Sequence, residues 1–295
     1  MVQNAKNVPA DAFAYVTASY APDFERCRLL CESMDRHVTG LSRHYILVAH
    51  GDVALFRQLE SQRRVVIDER DILPSWLYDV SDPLSLFRRR IWLSLKVPPL
   101  RGWHVQQLRR IGIAAQVDAE NLIYCDSDVV FFRKAESTVF SRAGKTRLFR
   151  RDNALARPEL AEQRIWSKNA GKALGVGSVS GHDYIATLIA WNRQAAIGMT
   201  RHIENLSGRH WAQAVAKDRR FSECMLYGRY VDDVLGGGNH FHDSTELCRT
   251  YWTGPHLGEA ELQNFIDTAE SGQVALGLQS FIGTDLALIR KLAAV

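Results

Sequence analysis

The stretch Tyr124-Cys125-Asp126-Ser127-Asp128-Val129-Val130-Phe131 carries two carboxylates, one residue apart, between two apolar runs. Short apolar runs rich in β-branched and aromatic residues are typical of buried strands. The stretch therefore predicts a buried strand that ends in an Asp-x-Asp turn. Because side chains two residues apart in extended chain point the same way, we expect Asp126 and Asp128 to face one spot.

Two carboxylates at a strand end offer hard oxygen ligands to a divalent cation. Mg²⁺ and similar ions commonly take one or two carboxylates from the protein and further oxygens from a bound phosphate group. The pattern therefore predicts that Asp126 and Asp128 hold Mn²⁺ or Mg²⁺ together with a diphosphate. Since Asp is frequent in turns, a solvated turn with two aspartates is the alternative interpretation.

Length and composition limit the classes of protein to consider. A chain of 295 residues suffices for one large α/β domain or two small ones. The net charge of +4 suits phosphate-bearing ligands or an acidic membrane surface, but is too small to indicate nucleic acid. Residues 1–11 lack the apolar core of a signal peptide, and no apolar run is long enough to span a bilayer. The odd count of five cysteines disfavours a disulfide framework. A cytoplasmic protein is expected.

Strand and helix patterns alternate through the first third of the chain. Strands are predicted at 13–18, 45–48 and 65–67, with helices at 25–36 and 53–59. This alternation predicts a mostly parallel central sheet that is flanked by helices. Further helices are predicted at 83–97 and 102–115, the second one directly before the Asp-x-Asp strand.

The pattern is less regular after Phe132. Residues 145–172 are polar and are predicted to be irregular, and three glycines at 236–238 indicate a sharply turning loop. Helices are predicted at 182–192, 208–216, 221–230, 259–271 and 285–293. One domain is expected over 1–295, with a nucleotide-binding half at 1–135 and a second half at 136–295.

The residues that follow the first two strands are candidate nucleotide ligands. Parallel α/β sheets bind ligands at the carboxyl ends of their strands. Thr17, Ser19, Tyr20 and Asp23 follow the first strand, and Asp52 follows the second. Tyr20 can stack on a base, and either aspartate can accept a hydrogen bond from base or ribose. For Asp23, capping of the following helix is the alternative.

The helix predicted at 102–115 carries candidate phosphate and sugar ligands. Arg109 and Arg110 each present a guanidinium fork that suits phosphate oxygens. Gln106 and Gln107 can hydrogen-bond the donor sugar or the backbone. The alternative is an ordinary polar helix face, which accounts for at least one of the two arginines. A second basic cluster, 88–90, adjoins an apolar stripe; a solvated face is the preferred interpretation there, and contact with anionic lipid is the alternative.

Several motifs, taken together with the Asp-x-Asp turn, resemble those of known families. The Asp-x-Asp turn resembles the DxD signature of metal-dependent glycosyltransferases with the GT-A fold. The ordered set of motifs, from about residue 15 to 290, resembles a bacterial family of glycosyltransferase-like proteins, the DUF6492 group. The motifs are Gly102-Trp103-His104-Val105-Gln106-Gln107-Leu108, Gly181-His182-Asp183-Tyr184, Phe221-Ser222-Glu223-Cys224-Met225-Leu226-Tyr227-Gly228 and Gln279-Ser280-Phe281. The resemblance implies a GT-A-like, Rossmann-like single domain.

The resemblance also implies an activity and further site residues. It implies sugar transfer from a nucleotide-sugar donor, such as a UDP- or GDP-sugar, to a saccharide or lipid-linked acceptor. Glu223 matches the acidic motif at the acceptor site and is expected to be the catalytic base, although helix capping is an equal alternative. Asp183 is the second candidate base or a ligand of a sugar hydroxyl. A third metal ligand is expected from His242 or His240, each of which is alternatively a polar loop histidine.

Two other functions remain open from the sequence. A nucleotidyltransferase would also use metal-bound diphosphate, but it normally has a glycine-rich basic loop after the first strand, and residues 18–24 contain no glycine. A nucleotide- or glycan-binding module that lacks turnover would keep the same acids. A peripheral contact with the inner face of a membrane is also left open.

Overall fold

The computed structural model describes residues 12–86, 89–177 and 180–295, which form a mixed α/β fold. The strands are β1 (Phe13–Ala18), β2 (Val38–Thr39), β3 (Arg43–Val48), β4 (Arg64–Asp68), β5 (Tyr78–Ser81), β6 (Arg90–Leu93), β7 (Leu100–Arg101), β8 (Asn121–Tyr124), β9 (Val129–Phe131), β10 (Ala135–Glu136), β11 (Ser141–Arg142), β12 (Lys145–Phe149), β13 (Ile189–Asn192), β14 (His240–Asp243), β15 (Cys248–Tyr251) and β16 (Ala275–Leu278). The α-helices are α1 (Phe24–His37), α2 (Val53–Phe56), α3 (Gly102–Gly112), α4 (Ala161–Leu174), α5 (Arg193–Ser207), α6 (Trp211–Ala216), α7 (Glu223–Arg229), α8 (Glu259–Asp267) and α9 (Leu286–Leu292).

The central sheet has the strand order β13-β8-β1-β3-β4. β1 pairs in parallel with β3 and β8, and β4 pairs in parallel with β3, whereas β13 is antiparallel to β8. Every residue of β1 is buried, as expected for a strand covered by helices on both faces of a parallel sheet. The predicted mostly parallel central sheet with flanking helices, in a single domain, is therefore confirmed.

The topology places the Asp-x-Asp turn at the carboxyl edge of this sheet. β1, β3 and β8 run in parallel, so the segments that follow them emerge at the same edge. β8 enters the turn, and β9 then leaves it to pair antiparallel with β16 in a second sheet of order β15-β16-β9. The two carboxylates thus lie where the chain passes from the central sheet to the second sheet.

Helices α3 and α7 are joined next to this edge. The Ser222 hydroxyl accepts the backbone N–H of Met225, at 3.4 Å, and so caps α7. The side-chain oxygen of Gln107 on α3 accepts the backbone N–H of Glu223, at 3.0 Å. Because both acceptors satisfy N–H groups of the first turn of α7, the position of Glu223 is fixed relative to α3.

Most predicted elements agree with the structure. The strands predicted at 13–18, 45–48 and 65–67 correspond to β1, β3 and β4. The helices predicted at 25–36, 102–115, 208–216, 221–230, 259–271 and 285–293 correspond to α1, α3, α6, α7, α8 and α9, and α2 covers the first half of the one predicted at 53–59. The glycines at 236–238 all have positive φ, so the predicted sharp turn is confirmed.

The helix predicted at 83–97 is wrong. The chain instead forms a hairpin of β5 and β6, and β7 adds a third strand; residues 87 and 88 lie outside the described part. Apolar residues in this segment occur at helical spacing, but cross-strand pairing and burial of Trp92 against the core determine its structure.

Two predictions in the second half are also wrong. The segment 145–172 was predicted to be irregular, yet it holds β12 and most of α4, a helix in which only four residues are buried and whose apolar pattern is therefore weak. The segment predicted as a helix at 182–192 ends in β13, which completes the central sheet. Its last residue, Asn192, caps the helix α5 that follows, and its side-chain oxygen accepts the N–H of Ala195 at 3.0 Å.

Gly228 lies directly beneath the ring of Tyr184, and this close packing gives a first prediction. A Cβ at position 228 would overlap the ring atoms of Tyr184, which is itself buried. We expect Gly228→Ala to lower the free energy of unfolding by about 1–3 kcal/mol in urea denaturation, since the ring must move. Gly102→Ala is the matched control, because its Cβ would meet no atom within 4 Å. Equal stabilities of the two variants would contradict the packing described.

Within the described residues, no helix combines the length and the apolar content needed to cross a membrane. The five cysteines are buried and free.

Candidate active site

The Asp-x-Asp turn is held by backbone hydrogen bonds and leaves one carboxylate oxygen without a partner. The carbonyl of Asp126 accepts the N–H of Val129 at 3.2 Å, and that of Asp128 accepts the N–H of Leu278 at 3.1 Å. Oδ2 of Asp128 accepts the N–H of Ser280 at 3.0 Å. Oδ1 of Asp128 is buried and has no hydrogen-bond partner among the described residues. A buried, unsatisfied acceptor of this kind is what a bound cation would satisfy.

Burial disfavours the charge of both carboxylates. Burial raises the pKa of Asp128 to about 7, and the neighbouring charge of Asp126 adds to this shift. Burial also raises the pKa of Asp126, against the lowering effect of Arg110. A bound divalent cation would offset the cost of burying these charges, so the chemistry of Asp126 and Asp128 fits the predicted Mn²⁺ or Mg²⁺.

Arg110 connects the Asp-x-Asp turn to Glu223. Its Nη1 lies 3.3 Å from Oδ1 of Asp126 and 3.2 Å from Oε1 of Glu223, and its guanidinium carbon lies 4.9 Å from the ring centroid of Tyr124. Burial disfavours the guanidinium charge, but Glu223 and Asp126 outweigh that effect and raise the pKa of Arg110. Nε and Nη2 of Arg110 are buried and have no partner in the described part of the chain. The side chain therefore has N–H donors to spare for phosphate oxygens.

Glu223 lies where its capping alternative expects it, and its role as catalytic base stays a prediction. It lies in the first turn of α7, where a carboxylate interacts favourably with the helix dipole. The carboxylate is also buried and paired with Arg110. The structure thus brings together Asp126, Arg110 and Glu223 from three separate segments of the chain.

Tyr20 and Asp23 lie at the same edge, after β1. Half of the surface of Tyr20 is exposed, at 50%, which leaves its ring accessible for stacking. Partial burial, followed by the charges of Asp23 and Asp128, raises the pKa of Tyr20. Asp23 occupies the N-cap position of α1, but its side chain makes no capping hydrogen bond. Burial raises the pKa of Asp23, whereas Arg26 and Ser280 lower it. The capping alternative for Asp23 is therefore wrong.

Two other predicted nucleotide ligands, Thr17 and Ser19, are buried. Thr17 is fully buried, and its hydroxyl lies 3.0 Å from Nε2 of His44 and 3.3 Å from Sγ of Cys125. Ser19 is buried as well, and its backbone N–H donates to the carbonyl of Leu47 at 3.0 Å, but its hydroxyl has no partner among the described residues, so its contact with the nucleotide stays a prediction. The prediction that Thr17 binds the nucleotide is corrected because of this burial. The side chain of Thr17 supports the edge of the sheet and is closed to a ligand.

Asp52 has a structural role in the loop that follows β1. Its Oδ2 accepts the backbone N–H of Ala21 at 3.2 Å, and its Oδ1 lies 3.3 Å from Nη2 of Arg90. Both carboxylate oxygens are thus engaged within the protein. The predicted contact of Asp52 with base or ribose is corrected accordingly: Asp52 shapes the loop that carries Tyr20.

The polar residues of α3 divide between two sides of the helix. Arg109 is buried, and its Nε donates to Oε2 of Glu69 at 2.9 Å, so it is a structural partner and no phosphate ligand. Gln107 is buried and accepts the N–H of Glu223, so of its two predicted partners, the donor sugar and the backbone, the structure shows the backbone. Gln106 is partly exposed and precedes Arg110 by four residues, on the same helix face. Of the four predicted ligands on α3, Arg110 and Gln106 remain.

Asp183 is buried in an ion pair. Its Oδ2 lies 2.6 Å from Nη2 of Arg151, and its Oδ1 accepts the N–H of Ile185 at 3.1 Å. A carboxylate bonded in this way anchors the chain before β13. The prediction of Asp183 as a second base or sugar ligand is corrected for this reason.

The two histidines of β14 contact side chains of α7 and of the residues that directly follow it. His240 is buried with Nε2 at 2.7 Å from the hydroxyl of Tyr227, and burial lowers its pKa to about 4. Nε2 of His242 lies 2.8 Å from Asp232 and 3.2 Å from Nη1 of Arg150. No group of three or more His, Cys, Asp or Glu side chains that could hold a metal occurs in 12–86, 89–177 and 180–295. The predicted third ligand is thus not assembled with the two aspartates.

A groove of about 870 Å³ adjoins the first turn of α7. It runs between α4, the end of α5, α6 and α7, and Ser222 and Leu226 form part of its wall. Its floor is mostly apolar. The charged side chains that line it are Lys172, Arg209, Lys217, Asp218 and Arg219.

Two residues near the aspartates had no role assigned from the sequence. Ser280 donates its backbone N–H to Asp128, and its tripeptide Gln279-Ser280-Phe281 was among the motifs quoted above. Arg26 donates to the carbonyls of Ser280 and Thr284, at 3.5 and 3.4 Å, and so holds this loop against α1. An arginine three residues after Asp23 was the available signal for it.

Comparison with family models relates this site to other proteins. The model of DUF6492, described as a family of unknown function, matches residues 13–271. The chain belongs to this family. The match contains the Asp-x-Asp turn, Arg110 and Glu223, whereas the Ser280 loop follows it. The DUF6492 description assigns no activity, so the glycosyltransferase part of the resemblance stays a prediction. A search of curated proteins finds no match.

Proposed function

We propose that this protein is a metal-dependent glycosyltransferase that moves a sugar from a nucleotide-sugar donor to a saccharide or lipid-linked acceptor. One observation carries the proposal: an unsatisfied buried acceptor, Oδ1 of Asp128, and unsatisfied buried donors, Nε and Nη2 of Arg110, flank Asp126. A cation with its diphosphate would satisfy both kinds of atom at once. The GT-A assignment of the fold, with a nucleotide-binding half at 1–135 and an acceptor-side half at 136–295, is part of this proposal.

The donor binds at the carboxyl edge of the central sheet. Asp126 and Asp128 would hold Mn²⁺ or Mg²⁺, which when bound neutralises charge on the diphosphate leaving group. Two protein carboxylates suffice for such an ion when phosphates and water supply the other ligands. Arg110 donates its free N–H groups to phosphate oxygens, Tyr20 offers its exposed ring to the UDP or GDP base, and Asp23 accepts from the ribose.

The acceptor binds next to the first turn of α7. Glu223 is the general base that takes the proton from the acceptor hydroxyl as that oxygen attacks the anomeric carbon. Because Arg110 pairs with Glu223 and also faces the donor phosphates, it aligns the base with the bond that breaks. The groove beside Ser222 and Leu226 would receive the rest of the acceptor.

A nucleotide- or glycan-binding module of the same fold is the second candidate. The ion pair between Glu223 and Arg110 favours it, because a carboxylate that is paired within the protein can serve the structure of the site without any turnover. A nucleotidyltransferase is less well supported, since residues 18–24 lack a glycine-rich loop. A site in the cytoplasm is part of the main proposal, since nucleotide sugars are its substrates.

The catalytic role of Glu223 separates the enzyme from the binding module. Removing a general base costs about 10²–10⁴ in kcat. We expect Glu223→Gln to lower kcat by about this factor, with the affinity for donor and metal changed by less than about threefold. The measurement is the rate of nucleoside diphosphate release from a nucleotide sugar that raises the melting temperature of the protein. Turnover that is unchanged in the variant would exclude Glu223 as the base, and absent turnover in both proteins would favour the binding module.

A further inference from the structure

Exposed apolar side chains are concentrated on the three-stranded sheet β5-β6-β7 and the loops next to it. In the described residues, thirteen large apolar side chains are exposed, and seven of them lie between Tyr78 and Trp103. Leu84 is 91% exposed and Leu95 is fully exposed, so neither contributes to the core. Contiguous apolar surface of this kind marks an interaction site in most soluble domains.

The register of the strands shows that one face of the β5-β6 hairpin is apolar and retains exposure, while β7 adds Arg101 opposite Ile91. Tyr78 lies opposite Leu93, and Val80 lies opposite Ile91. Residues directly opposite each other share a face of the sheet, so these four side chains form one surface, and all four retain exposure. A sheet with one solvated face normally presents polar residues there. We call this surface, together with Leu84, Leu86 and Leu95, the apolar face.

The inner face of the same sheet is used by the protein. Trp92 and Leu100 lie side by side on it and are buried in the core. Arg90 also lies on it, with Nη1 at 3.0 Å from Asp79 and Nη2 at 3.3 Å from Asp52. The inner face of the sheet is therefore packed against the core. Its outward apolar residues are exposed even though the sheet itself is held in place.

Positive charge surrounds the apolar face. Arg89, Lys96 and Arg101 are exposed at its edges. The nearest acids are turned inward, since Asp79 pairs with Arg90, and Asp82 is buried and lies 3.6 Å from Nη1 of Arg101. An apolar surface with a cationic rim is complementary to an anionic lipid bilayer, into which leucines insert while Lys and Arg contact the headgroups.

We propose that the apolar face docks the protein onto anionic membranes. Leu84, Leu86 and Leu95 enter the headgroup and upper acyl region, and the cationic rim binds the lipid phosphates. The face is joined to the candidate active site through Arg90, Asp52 and the loop that carries Tyr20. A docked protein would thus hold its donor site close to the bilayer surface. The inference does not depend on sugar transfer.

Flotation with lipid vesicles tests this proposal without donor, metal or turnover. We expect the wild-type protein to float with vesicles of equal parts phosphatidylcholine and phosphatidylglycerol, and to bind pure phosphatidylcholine at least about tenfold more weakly. The double variant Leu84→Ser, Leu95→Ser should lose at least about tenfold in partitioning, since two exposed leucines no longer insert. Arg89→Ser should weaken binding, as should about 0.5 M salt.

Val139→Ser is the matched control, because Val139 is an exposed apolar residue remote in sequence from the apolar face. It should float like the wild type, and unchanged melting temperatures should show that all variants fold. Wild-type protein that stays with the unbound fraction would overturn the proposal, as would equal flotation of the double variant. A concentration-dependent dimer that the double variant abolishes, without vesicle binding, would assign the face to a second copy of this chain instead.

Discussion

Replacing Arg110 with Gln is expected to lower the free energy of unfolding by about 3 kcal/mol near pH 8. Removing one member of a buried ion pair leaves its partners charged and uncompensated, which typically costs 3–5 kcal/mol. Here the partners are Asp126 and Glu223, each within 3.3 Å of the same guanidinium nitrogen. The estimate is at the lower end because the side chain of Asp126 keeps 28% of its exposure and so retains some solvation.

The loss should depend on pH, and its sign follows from the charges. Without Arg110 the pKa of Asp126 would lie still further above its unfolded value, because Arg110 is the group that lowers it. A raised carboxyl pKa destabilises the fold at high pH, and this penalty shrinks as the pH falls below the folded pKa and vanishes below the unfolded pKa. Urea denaturation at pH 8 and pH 5 should therefore show a smaller loss at pH 5. Arg57→Gln, at an exposed position, is the control and should change stability by less than about 0.5 kcal/mol. A loss below about 1 kcal/mol at both pH values would contradict the buried bridge.

Replacing Asp128 with Asn is expected to stabilise the metal-free protein and to abolish its metal-dependent donor binding. The pKa of Asp128 is raised to about 7, so above pH 7 the folded protein carries a charged carboxylate that burial and Asp126 disfavour. Asn keeps the acceptor for the N–H of Ser280 and removes the charge. The expected gain is about 2 kcal/mol at pH 8, and it should vanish as the pH falls toward the ordinary carboxyl pKa of about 4.

Urea denaturation in the presence of a chelator measures this gain. Asp118→Asn is the control, because the Asp118 side chain is 99% exposed and should leave stability unchanged. A site that is less stable with its native residue than with an isostere is one that function maintains against stability. Destabilisation by Asp128→Asn at pH 8 would show instead that the carboxylate serves the fold.

The sequence predicts the start of the central sheet better than the hairpin of β5 and β6, because the elements that begin the sheet are local. β1, α1 and β3 each show their own period, and the parallel pairing follows from their alternation. The hairpin of β5 and β6 depends on partners distant in sequence: Trp92 packs in the core, and Arg90 reaches back to Asp52. Such contacts produce no periodic pattern in the sequence. The helical spacing of the apolar residues in this segment therefore predicted a helix where the structure has a hairpin.

The sequence predicts the central residues of the candidate site but not the roles of the residues around them. The sequence directly indicates two aspartates in one turn, and it also indicates an acid that follows a serine at the start of a predicted helix. Whether Arg109 or Arg110 faces them depends on helix rotation, since neighbouring residues point about 100° apart. In the structure, Arg110 forms ion pairs with Asp126 and Glu223, whereas Arg109 forms an ion pair with Glu69. No pattern in the sequence distinguishes these two positions.

Residues already occupied by the protein were the least predictable. Asp183 and Asp52 have the right residue type and sequence position for binding, yet Arg151 and Arg90 hold their carboxylates. His240 and His242 alternate along β14 as expected, and their partners are Tyr227 and Asp232. Only three-dimensional packing reveals which polar side chains remain free for a ligand.

The most direct test of the account is a thermal-shift measurement on a panel of nucleotide sugars, with and without Mn²⁺, for the wild type and Asp128→Asn. The account predicts that at least one UDP- or GDP-sugar raises the melting temperature of the wild type only when Mn²⁺ is present. The same donor should leave Asp128→Asn unshifted. Absence of any donor-induced shift in folded wild-type protein, or an equal shift in Asp128→Asn, would contradict a donor site at Asp126, Asp128 and Arg110.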